Sequence, residues 1–280
     1  MELLKFDDVS KVYFNKDGVT KVLDSISLSI EEGKIYSILG PSGCGKTSIL
    51  NLISGLITPT SGTIIKPDSI GYMFQRDNLF DWLTILDNVT LGLKIQKNKN
   101  EKTINYAKEL LKKYGLEEFI YAYPNSLSGG MRQRVALIRA IVTKPKLLLL
   151  DEPFSALDAQ TRLAVSQDIY QIIKELQITT VIVTHDLSEA ISLSDSIYLL
   201  SNRPAKIKGK YEIGINSYLP IERRNLSEFQ TYFHEIWGEI NGWIISKIFK
   251  KTKVWKNNDI INSNFNCSIV FFDLGNSSIF

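Results

Sequence analysis

Eight consecutive residues, Gly40-Pro41-Ser42-Gly43-Cys44-Gly45-Lys46-Thr47, restrict the fold of this chain more than any other stretch. They fit G-x-x-x-x-G-K-[ST] at every position, a pattern that works only between a strand and a helix. The flanks supply both. Lys34 to Leu39 suits a strand covered on both faces, and Lys46 to Ile53 reads as a helix ending near Gly55. The glycines let the backbone wrap tightly, so that successive N–H groups converge on phosphate oxygens. The helix aims its unpaired N–H groups and positive dipole end at the same anion. Lys46 adds a point charge, and the Thr47 hydroxyl can coordinate Mg²⁺. Cys44 lies inside the loop and reads as a small residue without chemistry of its own. The competing explanation is a chance lysine in a glycine-rich turn, and the strand and helix on either side weigh against it.

The rest of the chain alternates between strands and helices. Ile26, Leu28 and Ile30 alternate with Ser27 and Ser29, the period of a half-buried strand. From Thr103 to Leu116, apolar residues recur at helical spacing, with Gly115 where the helix would stop. Residues 129–142 form a further helical stretch closed by Lys144-Pro145. Roughly 76–144 therefore reads as a helical insertion between two strand-bearing halves. Beyond it come a wholly apolar strand at Leu147 to Leu150, a helix over 159–176, a strand at Thr179 to Thr184, a short helix around Leu187 to Leu193 and a strand at Ser196 to Leu200. This order implies a wound α/β sheet whose reactive groups gather at the carboxyl ends of the strands.

Asp151-Glu152 ends the apolar strand beside the phosphate loop. Phosphoryl transfer needs positioning and charge neutralisation, so one carboxylate on magnesium and one on water is a workable division. Asp151 is placed to hold the metal through water, and Glu152 to polarise the attacking water. A second anion site is suggested by Leu127-Ser128-Gly129-Gly130-Met131, where a serine and two glycines open a helix. In isolation Ser128 would be an N-cap followed by a flexible glycine pair. Two phosphate sites in one chain make sense if two copies pair head to tail, each capping the nucleotide of the other.

These motifs together resemble the ATP-binding subunit of ABC transporters, from about residue 3 to residue 240. Walker A is 40–47, the signature 127–131, Walker B 147–152 and the aspartate loop Ser155 to Asp158. Gln75 matches the Q-loop glutamine, His185 the switch histidine, and Tyr13 the aromatic residue that stacks on adenine. The resemblance implies an α/β fold, a P-loop NTPase (RecA-like) core with an antiparallel β subdomain and an inserted α-helical signature subdomain. It implies ATP and Mg²⁺ as cofactors and catalytic roles for Glu152, His185 and Gln75. Nucleotide contacts would come from Tyr13, Gly40, Pro41, Ser42, Gly43, Cys44, Gly45, Lys46, Thr47, Ser48, Ser128, Gly129, Gly130 and Asp158, with Thr47, Gln75 and Asp151 around the metal. Asp158 shapes the paired interface rather than the chemistry. The implied partners are a second copy of the chain, integral membrane permease subunits and, indirectly, an extracytoplasmic solute-binding protein. A permease helix would seat near residues 76–90, where Leu79, Phe80 and Trp82 offer apolar contact points; the competing reading makes them ordinary core of the helical insertion. The expected location is the cytoplasmic face of the membrane.

One position departs from the family: the signature commonly ends in glutamine, and Met131 stands here. That methionine, Phe80-Asp81-Trp82-Leu83-Thr84, and Ser201-Asn202-Arg203-Pro204 resemble the branch that imports nitrate, sulfonate, taurine and thiamine precursors. The alternative is a cytosolic ABC-type ATPase acting on nucleic acid, ribosomes or division machinery. Such proteins carry tandem nucleotide domains, long coiled coils or zinc insertions, none of which is visible.

Charge and composition agree with this reading. The net charge of +3 is carried entirely by residues 241–280, where five lysines face two aspartates; the remainder is balanced. A broad basic footprint for nucleic acid is therefore absent, and no nucleic-acid partner is expected. No apolar run approaches the ~18 residues of a membrane span. Neither a signal peptide nor a disulfide framework is read, the latter because the chain has only Cys44 and Cys267. Residues 1–240 thus form the expected ATP-binding domain and 241–280 a basic C-terminal extension. There, Trp243, Ile244, Ile245, Ile248 and Phe249, with Trp237 just before them, could form an amphipathic helix, lipid-touching or merely solvated. His234, with no motif around it, reads as structural.

Overall fold

The computed structural model describes residues 1–15, 18–215 and 219–251. The chain divides into two units, Met1–Trp237 and Gly238–Phe280. In chain order the elements begin with strands β1 (Glu2–Asn15), β2 (Gly18–Glu31) and β3 (Ile35–Leu39), then helix α1 (Lys46–Ser54) and strands β4 (Ser61–Ile65) and β5 (Ile70–Met73). Helices α2 (Ile85–Ile95), α3 (Glu101–Lys113) and α4 (Gly129–Ile141) follow. The chain then forms β6 (Leu147–Asp151), α5 (Ala159–Leu176), β7 (Thr179–Thr184), α6 (Leu187–Leu193), β8 (Ser196–Leu200) and β9 (Ile207–Glu212). It closes with α7 (Pro220–Arg223) and α8 (Ser227–Lys251).

Two sheets result. The larger has the order β5-β6-β7-β3-β8-β9, parallel throughout except for the β8/β9 pair. The smaller, β2-β1-β4, is antiparallel. The wholly apolar β6 is explained by burial on both faces. Leu147 and Leu149 join the core formed with β2 and α1, whereas Leu148 and Leu150 join the core formed with α2 to α5. Each such leucine contributes about 2 kcal/mol by leaving water. The helical insertion lies between β5 and β6, which are sequence-distant yet hydrogen-bonded neighbours. Gly71 on β5 enables a close approach there, because a Cβ would stand 2.5 Å from the Ala140 carbonyl oxygen at the end of α4.

The β1–β2 hairpin is longer than its sequence pattern suggests. Irregular register between Phe6 and Lys11, with Asp8 and Ser25 at positive φ, interrupts the two-residue alternation that marks a strand. Helix α3 begins at Glu101 because Asn100 and Thr103 form a reciprocal cap, and it stops before Gly115, whose φ of 73° only glycine adopts freely. The expectations for residues 252–280, and for the side chains of 241–251, lie outside the described residues. His234 is exposed and stands edge-on to Phe233. Among the described residues, no helix is long and apolar enough to cross a membrane.

Candidate active site

Parallel pairing of β5, β6, β7 and β3 brings four carboxyl ends to one edge, and each supplies part of a single site. From β3 comes the loop of residues 40–45, which leads into α1. Gly45 has a φ of 127°, and a Cβ there would lie 2.8 Å from Val22 Cγ1 and 2.9 Å from Leu23 Cδ2. The loop is therefore pressed against β2 where a side chain could not fit. Cys44 is buried in the core beneath it, and burial pushes its thiol up. A cavity of about 550 Å³ opens above the loop. Ser42, Gly43, Gly45, Lys46, Thr47 and Ser48 line its floor; Tyr13, Thr20, Val22 and Arg203 form one group of wall residues, with Gln75 and Glu152 completing it.

Lys46 is 95% buried, with the ammonium donating to the carbonyls of Gly40 (2.9 Å) and Pro41 (3.2 Å). It also stands 3.4 Å from Glu152 Oε1. Glu152 is the hub of the site. Its other oxygen, Oε2, lies 3.2 Å from His185 Nδ1 and accepts from Gln75 Nε2 at 3.5 Å. Glu152 has a φ of 44°, a strained conformation for a side-chain-bearing residue, held by its N–H donating to the Val183 carbonyl. Ser155 braces it further, donating to the Glu152 carbonyl at 3.0 Å and accepting from Gln75 at 3.4 Å.

Asp151 faces a different partner. Thr47 Oγ1 donates to its Oδ1 at 3.4 Å. Burial pushes the Asp151 carboxyl above its usual range, the Thr47 hydroxyl opposes that shift, and the neighbouring Glu152 charge adds to it. The Tyr72 phenol is pushed up in turn, first by burial and then by Asp151. A buried carboxylate against a hydroxyl is a hard-oxygen donor pair suited to Mg²⁺. Magnesium keeps several waters and takes its remaining ligands from phosphate, so two protein oxygens suffice. Among the described residues no cluster of three or more His, Cys, Asp or Glu could form an all-protein cage.

Tyr13 donates to or accepts from Ser48 Oγ at 3.1 Å, which fixes the ring beside the cavity, and the Lys11 ammonium lies 5.2 Å from the ring centroid. His185 borders a second, smaller cavity with Arg162, Asp186 and Glu189 and reaches the site through Glu152. The turn carrying it is held by Thr184, which donates to buried Glu189 at 2.7 Å and accepts from the Asp186 N–H.

Ser128, Gly129, Gly130 and Asp158 do not line the nucleotide-sized cavity. Ser128 caps α4, accepting from the Met131 N–H at 3.4 Å, and Asp158 caps α5, accepting from the Thr161 N–H at 3.0 Å. The Thr161 hydroxyl, and after it that N–H, hold the Asp158 carboxyl below its usual range. Ser128 and Gly129 are exposed, while a Cβ on Gly130 would meet Val165 and Thr161 of α5 at 3.1 and 3.2 Å. Met131 packs against the helical core. Of the three apolar residues near 76–90, Phe80 and Trp82 are exposed and in ring contact with one another, but Leu79 is buried in that core. Leu79 is therefore no surface contact point. Arg132 ties this region to the helix, making two bonds of 2.9 and 3.0 Å to the Asp77 carboxylate just beyond Gln75.

Sequence reasoning missed Thr20, Val22, Tyr72, Glu189, the bonds Ser155 makes with Glu152 and Gln75, and the placement of Arg203. Thr20, Val22 and Arg203 belong to no local pattern that announces a site; strand pairing and loop docking bring them there from far along the chain.

The family model described as ABC transporter matches residues 23–155. An uncharacterized ABC transporter ATP-binding protein, YtlC of Bacillus subtilis (strain 168), is 45% identical over 251 residues, covering 86% of this chain and 96% of that protein. The nitrate import ATP-binding protein NrtD of Synechocystis sp. is 40% identical over 220 residues, covering 76% and 83%. Among solved structures, the dimeric post-hydrolysis state of the ATP-binding cassette MJ0796, bound to ADP and Pi, aligns with a TM-score of 0.65 and 33% identity, covering 75% of this chain and 99% of that one.

Proposed function

This chain belongs to the ABC transporter family of ATP-binding proteins, and from that premise we propose that it powers an importer through ATP-driven closure of a head-to-tail dimer. It is an ATPase. The observation that carries the dimer reading is the division of its parts: the Glu152 hub and the Lys46 loop share one cavity, whereas the Ser128 helix end is exposed and lines no part of it. Each nucleotide would then lie between Lys46 of one copy and Ser128 of the other.

In this reading Tyr13 stacks on the adenine, and the loop N–H groups with Lys46 bind the phosphates. Thr47 and Asp151 hold Mg²⁺, with Gln75 beside them. When bound, the metal neutralises phosphate charge and orients the chain of phosphoryl groups. Glu152 takes a proton from the attacking water, and its bonds to His185 and Gln75 keep the carboxylate aimed. His185 donates to the terminal phosphate. Residues 1–240 form the ATP-binding domain and 241–280 a separate basic extension.

The partners are permease subunits, seated near exposed Phe80 and Trp82, and a solute-binding protein beyond them. Arg132–Asp77 would pass motion between the signature helix and that seat. The chain works at the cytoplasmic face of the membrane. Nitrate, sulfonates or taurine are the proposed solutes, supported by the nitrate-import relative and by Phe80 to Thr84 and Ser201 to Pro204. The test is the molar mass of the Glu152→Gln variant by light scattering with Mg-ATP and with Mg-ADP. A dimer with ATP alone is expected; a monomer in both would overturn the shared-site reading.

A further inference from the structure

The connection between β8 and β9 is stitched into the wall of the nucleotide cavity. Ala205, fully buried, donates to the Val22 carbonyl at 2.8 Å and accepts from the Asp24 N–H at 2.9 Å. Lys206 pairs with Asp24 at 3.0 Å, and the Ser201 and Lys206 backbones close the loop at 2.9 Å. These bonds hold residues 201–206 against the stretch of β2 that lines the cavity. One side chain crosses from this loop to the phosphate loop. Arg203 donates from Nη2 (2.8 Å) and Nε (3.2 Å) to the Gly43 carbonyl. A Cβ on Gly43 would meet Nη2 at 3.7 Å, an ordinary van der Waals contact.

A guanidinium carries five N–H donors in a rigid fork, and it cannot lose its charge in a protein. Gly43 engages two of its nitrogens, which leaves donors on a charged group that itself lines the cavity. The other lining cation, Lys46, is shared among two carbonyls and Glu152. We propose that Arg203 is a second cationic ligand of the nucleotide's phosphate chain, acting beside Lys46 while its bond to Gly43 sets the shape of the loop. This rests on the ATPase reading above. Arginine suits the position because a planar fork can hold a backbone carbonyl on one edge and a phosphate oxygen on another, which an ammonium cannot do at fixed geometry.

The experiment compares the full chain with Arg203→Gln and Arg203→Lys, measuring ATP turnover across ATP concentration at low and high salt, with Mg-ADP binding alongside. For Arg203→Gln, KM for ATP and Kd for ADP are expected to rise about tenfold at low salt, and kcat to fall less than KM rises. The gap to the parent should narrow at high salt, as a charge contact requires. Arg203→Lys should recover part of the low-salt affinity. A KM within twofold of the parent would overturn the proposal. So would a loss unaffected by salt and not recovered by lysine, which would assign Arg203 to loop support alone. Should Arg203→Gln melt at lower temperature than the parent can tolerate, Arg203→Lys and its salt dependence decide the matter. Absence of ATP turnover in the parent chain would instead overturn the underlying ATPase reading.

Discussion

Replacing Glu152 with glutamine separates chemistry from binding in this site. The side chain keeps its size and its Cβ, so the strain at φ 44° is unchanged and the backbone anchor to Val183 survives. What disappears is one negative charge and one basic oxygen pair. A positioned general base contributes about 10²–10⁴ in rate, or about 2.7–5.4 kcal/mol of barrier. Among the described residues no other carboxylate is aimed at the cavity: Asp151 is turned to Thr47, and Asp186 and Glu189 lie on the side of the smaller cavity. Turnover should therefore fall by at least about a hundredfold. Binding should move the other way. Lys46 is nearly fully buried and 3.4 Å from Glu152, so the substitution strips it of its carboxylate in the nucleotide-free protein. Removing a buried partner costs about 3–5 kcal/mol in full isolation, but Lys46 keeps two carbonyl acceptors and Glu152 is partly exposed, so about 1 kcal/mol is the working figure. Phosphate oxygens restore the lost charge, so ATP should bind roughly fivefold tighter. Phosphate release gives the turnover and a fluorescent nucleotide titration gives the affinity. Turnover within tenfold of the parent, or weakened ATP binding, would refute this assignment of Glu152.

Three further outcomes follow from the same geometry. Burial raises the folded-state carboxyl of Asp151 above its unfolded value, so its contribution to stability is greatest while protonated and is lost as pH rises through the folded value. Asp151→Asn should therefore melt at higher temperature than the parent at neutral pH, with the gap closing on acidification, while turnover is lost; a variant that melts lower at neutral pH would contradict this. Tyr13→Ala should raise KM for ATP by roughly tenfold, from about 1–3 kcal/mol of lost stacking, whereas Tyr13→Phe, which loses only the bond to Ser48, should stay within a few-fold in the same kinetic assay. Gly71→Ala drives a methyl against the Ala140 carbonyl and should lower stability by about 1–3 kcal/mol in a denaturant melt; no change would mean that β5 and α4 can part freely.

Much of this molecule is legible in its residues, for a local reason. A glycine-rich phosphate loop, a four-leucine strand ending in two acids, and a serine capping a helix each require only neighbours in the chain, so pattern reveals them. The boundaries of α5, β7, α6 and β8 follow from caps and apolar runs in the same way. The β1–β2 hairpin is less legible because its bulges break the alternation that marks a strand. Sequence leaves open whether Leu79, Phe80 and Trp82 face solvent or core, because an apolar residue looks alike in either place; the fold buries Leu79 and exposes the two rings. Sequence alone therefore determined which groups carry charge, proton affinity and phosphate affinity. Tertiary structure decided their company: that Glu152 meets Lys46, Gln75 and His185 at once, that Asp151 is buried against Thr47, and that Arg203 closes on a glycine 160 residues before it. Those meetings depend on strand order and loop docking, which are set by how the whole chain buries its two apolar cores rather than by any short run of residues.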